Sequence, residues 1–369
     1  MNLNEKFKLR TNPFRNTPAV SAEEIVWAGF PELKQKFERR IQRSIRIPNS
    51  TLVLNWGEYG SGKTHAARFF NKSSELQRIA GDAKIPYSMV MPLPKGKDPV
   101  QEIYTSVIDQ LDIDKLRTDF SSVSFDINGA IEAVTSNLQI QAVLKAIFND
   151  KADSSFLKKY LYGSTSNADL KHFTSHNIQR NLKGDTDYTN LLAGLFTCLT
   201  FNKDVYSSVV IWLDEFESIA ILSSSNIDRV NVFLREIMDN TPNNLLIFLN
   251  LTQTALLGVS DLGDYIYESV KSRIRDTVNF EIPSSTAFKV YLTEILQAYR
   301  TDTDTNPYFP FEEAVVDNIF RELGNVSLRT FNDTFSLLLD LADMDNVDVP
   351  VSITSYEKFK PELIGWKNE

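Results

Sequence analysis

Cysteine is nearly absent: Cys198 is the single one in 369 residues, so no disulfide can form within the chain. Its neighbours Leu195, Phe196 and Leu199 mark it as a small buried hydrophobe. A chain without cystine fits a reducing compartment, here expected to be the cytoplasm. No run of 18 apolar residues occurs, which excludes a membrane-spanning helix, and the opening Met1-Asn2-Leu3-Asn4-Glu5-Lys6 lacks the apolar stretch of a secretory signal. Histidine is scarce as well. His172 and His176 stand four apart with no third ligand near them, so the pair is read as structural. Positive charge is not in excess: 39 Lys and Arg against 48 Asp and Glu give a net charge of −9. That balance excludes a protein that coats nucleic acid by bulk attraction. Internal repeats and low-complexity tracts are missing too.

What remains is an ordinary globular composition, 42% hydrophobic and 24% charged, long enough for two or three domains. The first 30 residues read as irregular, with turn signals at Asn12-Pro13, Thr17-Pro18 and Gly29-Phe30-Pro31. Leu33, Phe37, Ile41 and Ile45 then recur every four residues, which predicts a helix ending before Pro48. Its other sides carry Lys34, Lys36, Arg39, Arg40, Arg43 and Arg46. Two readings stay open for them, a solvated helix face or a surface that meets phosphates or a partner. Thr51 to Trp56 reads as a buried strand, 62 to about 80 as one helix, and Tyr87 to Leu93 as a second strand. Residues 98–205 are mostly helical in pattern, with a loop-rich stretch around Gly163 to Gly184. Val209 to Leu213 and Leu245 to Leu251 are uninterrupted apolar runs, as expected of central parallel strands, and a strand-like Thr277 to Pro283 follows. Helical pattern dominates from Thr286 onward. Strands alternating with helices predict an α/β fold with a parallel sheet. The expected domains are 1–47, a core at 48–283 with a helical insert at about 98–205, and a helical domain at 284–369.

Gly57-Glu58-Tyr59-Gly60-Ser61-Gly62-Lys63-Thr64 fits the phosphate-loop pattern G-x-x-x-x-G-K-[ST] without deviation, between a predicted strand and a predicted helix. Backbone N–H groups at Gly57, Gly60, Ser61 and Gly62 are expected to curl around a polyphosphate at a helix N-terminus. Lys63 would reach the β- and γ-phosphates of ATP, and the Thr64 hydroxyl would ligate Mg²⁺. The apolar run ending in Asp214-Glu215 places two carboxylates at the C-terminal end of a buried strand, where ligands bind in open α/β sheets. Asp214 is expected to hold Mg²⁺ and Glu215 to act as general base, with Glu217 the substitute. Asn250, or failing it Thr252, ends the next apolar run and would orient water or sense the γ-phosphate. Arg273, in Val270-Lys271-Ser272-Arg273-Ile274-Arg275, is the candidate for stabilising charge on the transferring phosphoryl group, with Arg275 second. Arg329, in Gly324-Asn325-Val326-Ser327-Leu328-Arg329 before a helical run from Phe331 to Leu341, could reach back to the nucleotide.

These five elements in this order resemble the AAA+ ATPases, particularly the branch of clamp loaders and origin-recognition initiators, over roughly residues 20–345. The resemblance implies a parallel-sheet core with a C-terminal α-helical lid. It matches Arg273 to an arginine finger supplied to a neighbouring subunit, Asn250 to sensor 1 and Arg329 to sensor 2. Two departures stand out. Gly29-Phe30-Pro31-Glu32-Leu33 occupies the place of the Gly-Arg-x-x-Glu stretch of many initiators, and the last 25 or so residues are too few for their winged helix. The long insert is similar to that of ATPases in bacterial mobile-element and phage-exclusion systems.

The function expected is ATP-driven assembly or loading, for a nucleoprotein complex, as a homo-oligomer or AAA+ hetero-complex with DNA a candidate partner of the Lys34–Arg46 helix. One alternative is an ATP-gated switch controlling a separate effector protein, as in anti-phage defence. Another is a structural subunit that binds ATP with little turnover.

Overall fold

Apolar segments bounded by Pro, Gly or polar residues become the strands β1 (Thr51–Gly57), β2 (Tyr87–Pro92), β3 (Val209–Asp214) and β4 (Leu245–Thr252), and the mixed, alternately buried stretch Ile274-Arg275-Asp276-Thr277-Val278-Asn279-Phe280 becomes β5 (Ile274–Phe280). The structure is a computed structural model, which describes residues 3–14, 24–123, 126–148, 152–253, 262–302, 306–324 and 326–364. The Thr17-Pro18 turn signal and Asn325 lie outside the described residues. Before and after β1 run the helices α1 (Leu3–Phe7), α2 (Pro31–Arg46), α3 (Lys63–Phe70) and α4 (Ser73–Ala80). The insert holds α5 (Pro99–Gln110), α6 (Ile113–Ser121), α7 (Ile127–Val134), α8 (Leu138–Phe148), α9 (Ser154–Leu161), α10 (Asn167–Leu170) and α11 (Gly184–Thr200). Then come α12 (Ser224–Asn240), α13 (Leu262–Tyr265), α14 (Glu268–Lys271), α15 (Ser285–Tyr299), α16 (Glu313–Leu323), α17 (Leu328–Met344) and α18 (Ile353–Ile364). No helix among the described residues is long and apolar enough to cross a membrane.

The chain forms two compact units. One comprises Met1–Gln35, Gly57–Phe69 and Asn279–Glu369; the other comprises Lys36–Trp56 and Phe70–Val278. The second contains nearly all of a five-stranded parallel sheet in the order β2-β3-β4-β1-β5. Register follows from the pairs Met91↔Leu213 and Leu213↔Leu249. Successive side chains alternate between faces of a strand. Val209, Ile211 and Leu213 therefore join Leu245, Ile247 and Leu249 in a core shared with α5, α11, α12 and the insert helices. Trp212 and Phe248 face the other way, stacked at 3.9 Å, and Phe37 of α2 packs on both at 5.6 Å. Phe37 and Ile41 are fully buried there, each stabilising the fold by about 1.5–3 kcal/mol. That anchoring directs the rest of α2 outward.

The first unit has its own core, in which Phe288, Phe331 and Phe335 form a ladder of rings 4.6–4.7 Å apart. Phe7, Leu9 and Phe14 from the start of the chain are fully buried in it, and Asn12 Nδ2 donates to Ser336 Oγ at 2.9 Å. Residues 3–14 of the segment read as irregular thus form a strap on this core, and their apolar members are too widely spaced to show a period. A second difference concerns the helix expected over 62–80. It breaks into α3 and α4, because Lys72 is extended (φ −66°, ψ 135°) and α4 starts anew after it. The loop-rich stretch holds α10 and a 3₁₀ turn from Lys171 to His176. With three residues per turn there, His172 and His176 do not share a face, and His172 stacks on Phe156 at 4.9 Å.

Candidate functional site

In the first unit the loop Gly57–Thr64 leads from β1 into α3. Gly60 and Gly62 have φ of +77° and +101°, a region that L-residues with side chains rarely adopt. Lys63, the first residue of α3, is buried, and its ammonium donates to Gly57 O at 2.9 Å, Glu58 O at 2.8 Å and Ser61 Oγ at 3.1 Å. A cation is therefore held inside the loop on acceptors that a phosphate oxygen can replace. Thr64 is exposed beside it. Trp27 packs on His65 and Phe69, tying α3 to the N-terminal strap.

The start of α17 lies against the same loop. Ser327 caps the helix by accepting from Thr330 N at 3.3 Å, and Arg329 N donates to Gly60 O at 3.1 Å. The Arg329 guanidinium lies 4.4 Å from the centre of the Tyr59 ring and also donates to the Tyr59 hydroxyl. A Cβ on Gly60 would fall 2.6 Å from Arg329 Cβ and 2.9 Å from Ser327 Oγ. Arg329 thus lies against this loop, its guanidinium on Tyr59 and its backbone N–H on Gly60.

The second unit holds the acids. Asp214 ends β3, is buried, and accepts from Asn250 Nδ2 at 3.0 Å. Asn250 Oδ1 in turn accepts from Asn55 Nδ2 at 2.7 Å. Glu215 follows in the left-handed region (φ +52°) and is half-exposed, its carboxylate 2.9 Å from the Lys95 ammonium. That hydrogen bond raises the Lys95 pKa above the ordinary lysine value. Glu217 accepts from Thr252 N at 3.0 Å, so Thr252 contributes its backbone. Arg273 is bound up within the chain: its guanidinium donates to Asp239 at 2.6–2.9 Å and to Ser269 O. Arg275 is exposed and has no hydrogen-bond or ion-pair partner among the described residues. Cys198 is buried, and burial pushes its thiol up to about 12.

Three participants were not anticipated from sequence: Tyr59, Lys95 and Asn55. Tyr59 sits at a variable position of the loop pattern, and Lys95 follows β2 in a stretch without a motif. Asn55 alone carried a signal, an amide inside the apolar run Leu52-Val53-Leu54-Asn55-Trp56.

No protein-family model matches the chain, and no curated protein does. Solved structures do. The ORC2 protein of Aeropyrum pernix in its ADPNP-ADP complexes is 13% identical, with 97% of this chain and 72% of that one covered and a TM-score of 0.56. Its ADP form is 13% identical over 91% and 69% of the two chains, with a TM-score of 0.52. The ORC1 protein of the same organism in complex with DNA is 12% identical over 87% and 62%, with a TM-score of 0.45. The chain thus spans less than two thirds of that ORC1 chain. At such identities the likeness to ORC2 is one of fold.

Proposed function

Starting from the AAA+ initiator-like fold that this chain has, we propose that it binds and hydrolyses Mg²⁺-ATP and uses the cycle to assemble or load a nucleoprotein complex. The carrying observation is the phosphate loop: a buried ammonium held on replaceable oxygens, left-handed glycines, and the Arg329 helix start on the same loop. Lys63 and the N–H groups of Gly57, Gly60, Ser61 and Gly62 bind the phosphates, and Arg329 reads them. The Thr64 hydroxyl and the Asp214 carboxylate would hold Mg²⁺ as hard oxygen donors, and the metal would neutralise phosphate charge. Glu215 would accept the proton of the attacking water, and Asn250 orients the Asp214 carboxylate.

The partner class rests on α2. Arg40 is bound to Asp276 at 2.5 Å, and Lys34 lies 5.0 Å from the centre of the Phe69 ring. The side chains of Lys36, Arg39, Arg43 and Arg46 remain exposed without a hydrogen-bond or ion-pair partner among the described residues. Their spacing of three, four and three residues lines one helix face over about 15 Å, an arrangement suited to a phosphate backbone.

The test measures ATP binding by calorimetry and phosphate release. Lys63→Ala is expected to lose ATP binding while remaining folded. Glu215→Gln is expected to keep binding and slow hydrolysis by on the order of 10²–10⁴-fold. Normal ATP affinity in Lys63→Ala overturns the reading. A second reading, an ATP-gated switch with low basal turnover acting on an effector protein, is favoured by the ion pair that occupies Glu215.

A further inference from the structure

Asn55, like Asn250, is fully buried, although a strand interior offers an amide no water. Alternation along β1, β3 and β4 puts Asn55, Asp214 and Asn250 on one face of the sheet, opposite Leu54, Leu213 and Leu249. The three sit on adjacent strands in the order β3-β4-β1, joined by Asn250 Nδ2 to Asp214 Oδ1 at 3.0 Å and Asn55 Nδ2 to Asn250 Oδ1 at 2.7 Å. Chemistry fixes the direction of this relay. An ionised carboxylate only accepts, so Asn250 must turn its NH₂ toward Asp214 and its carbonyl toward β1. Among the described residues, Asn55 is the donor that meets that carbonyl. The Asn55 Oδ1 at the far end has no partner among the described residues, so Asn55 serves here as a donor.

We propose that Asn55 is a positioning residue that locks the Asn250 amide and, through it, the carboxylate of Asp214. Its effect on turnover rests on the role given to Asp214 above; the relay itself does not. With leucine at 55 the amide carbonyl of Asn250 loses the Asn55 donor, and the hold that keeps its NH₂ toward Asp214 is weakened.

Two measurements test this. In steady-state ATP hydrolysis, Asn55→Leu is expected to lower kcat by about tenfold at unchanged KM, the lower end of the loss when a partner behind a metal-binding carboxylate is removed. On an Asn250→Ala background the same change is expected to cost no more than about twofold, because residues of one network are not additive. Asn55→Ser, whose hydroxyl and the water it admits can both donate, is expected to recover most of the lost kcat. Equal losses on both backgrounds, or a folded serine variant as slow as leucine, overturn the proposal. The second measurement uses nucleotide-free protein with ¹⁵N-labelled asparagine. The Asn250 side-chain NH₂ is expected to exchange slowly in the natural chain and to shift and exchange faster in Asn55→Leu. An unchanged Asn250 signal overturns the relay. If Asn55→Leu does not fold, the serine variant is measured in its place, where the Asn250 NH₂ is expected to stay slowly exchanging; a signal as fast as solvent-exposed amides counts against the relay. If the natural chain shows no Mg²⁺-dependent hydrolysis, the functional reading falls and the labelling experiment alone decides the relay.

Discussion

Glu215, proposed above as the general base, is engaged by Lys95. Lys95 and Glu215 are 57% and 53% exposed, so their pair is worth about 0.2–1 kcal/mol. Breaking it in Lys95→Ala is therefore expected to raise basal ATP turnover by up to about fivefold with no measurable change in melting temperature. Turnover that falls instead would assign Lys95 to the nucleotide. Titration of the lysine does not open the pair near neutrality: its hydrogen bond to Glu215 raises it above its ordinary value, so the ammonium stays charged until pH climbs through that raised value. The switch reading and the loading reading part at this residue, since a partner that draws Lys95 away would start the cycle.

At the scale of elements, α2 sorts its cations by what they touch. Arg40 is folded onto β5 through Asp276, whereas Arg39, Arg43 and Arg46 face solvent. Replacing those three with alanine is expected to flatten the log–log salt dependence of duplex DNA binding by about 0.9 per lost contact, roughly 2.7 in all. Arg40→Ala is expected to leave that slope unchanged and to lower the melting temperature. No DNA affinity at low salt in the natural chain would remove nucleic acid as the partner of this face. Much of this scale was legible in sequence. The four-residue recurrence of Leu33, Phe37, Ile41 and Ile45 gave α2, and unbroken apolar runs gave β3 and β4, because burial on one face or on two writes itself as a period. The break at Lys72 and the strap of Phe7, Leu9 and Phe14 were not legible. Each is decided by long-range packing that leaves no local pattern. The strand–loop–helix around Gly57–Thr64 and its left-handed glycines could be read outright, since that pattern is a backbone requirement. Lys95 could not, since it meets Glu215 from 120 residues away in sequence.

For the whole molecule, the open question is whether an arginine is supplied between subunits. Arg273 was the first candidate and Arg275 the second. Arg273 makes a two-pronged contact with Asp239, while Arg275 is exposed and without a partner among the described residues. A guanidinium that acts on another subunit has to be available, which moves the expectation to Arg275. Arg275→Ala is expected to bind ATP normally and hydrolyse it about 10³-fold more slowly, with partial activity restored on mixing with Lys63→Ala. Arg273→Ala is expected to lower the melting temperature. Hydrolysis independent of protein concentration, with a monomeric mass in ATP, would rule out a shared site.

The contact between Gly60 and the Arg329 backbone carries a consequence for how this chain can change over generations. Position 60 is closed twice over, by its positive φ and by the 2.6 Å approach to Arg329 Cβ. A lineage can trade Tyr59, a residue 66% exposed, while keeping the loop's backbone, at the loss of its contacts with Arg329. It cannot trade Gly60 for any residue with a side chain without first loosening the helix start that rests on it. The phosphate loop and the beginning of α17 are therefore bound to drift together or not at all. Substitutions around Ser327-Leu328-Arg329 will be tolerated only where they preserve the gap that a hydrogen atom fills.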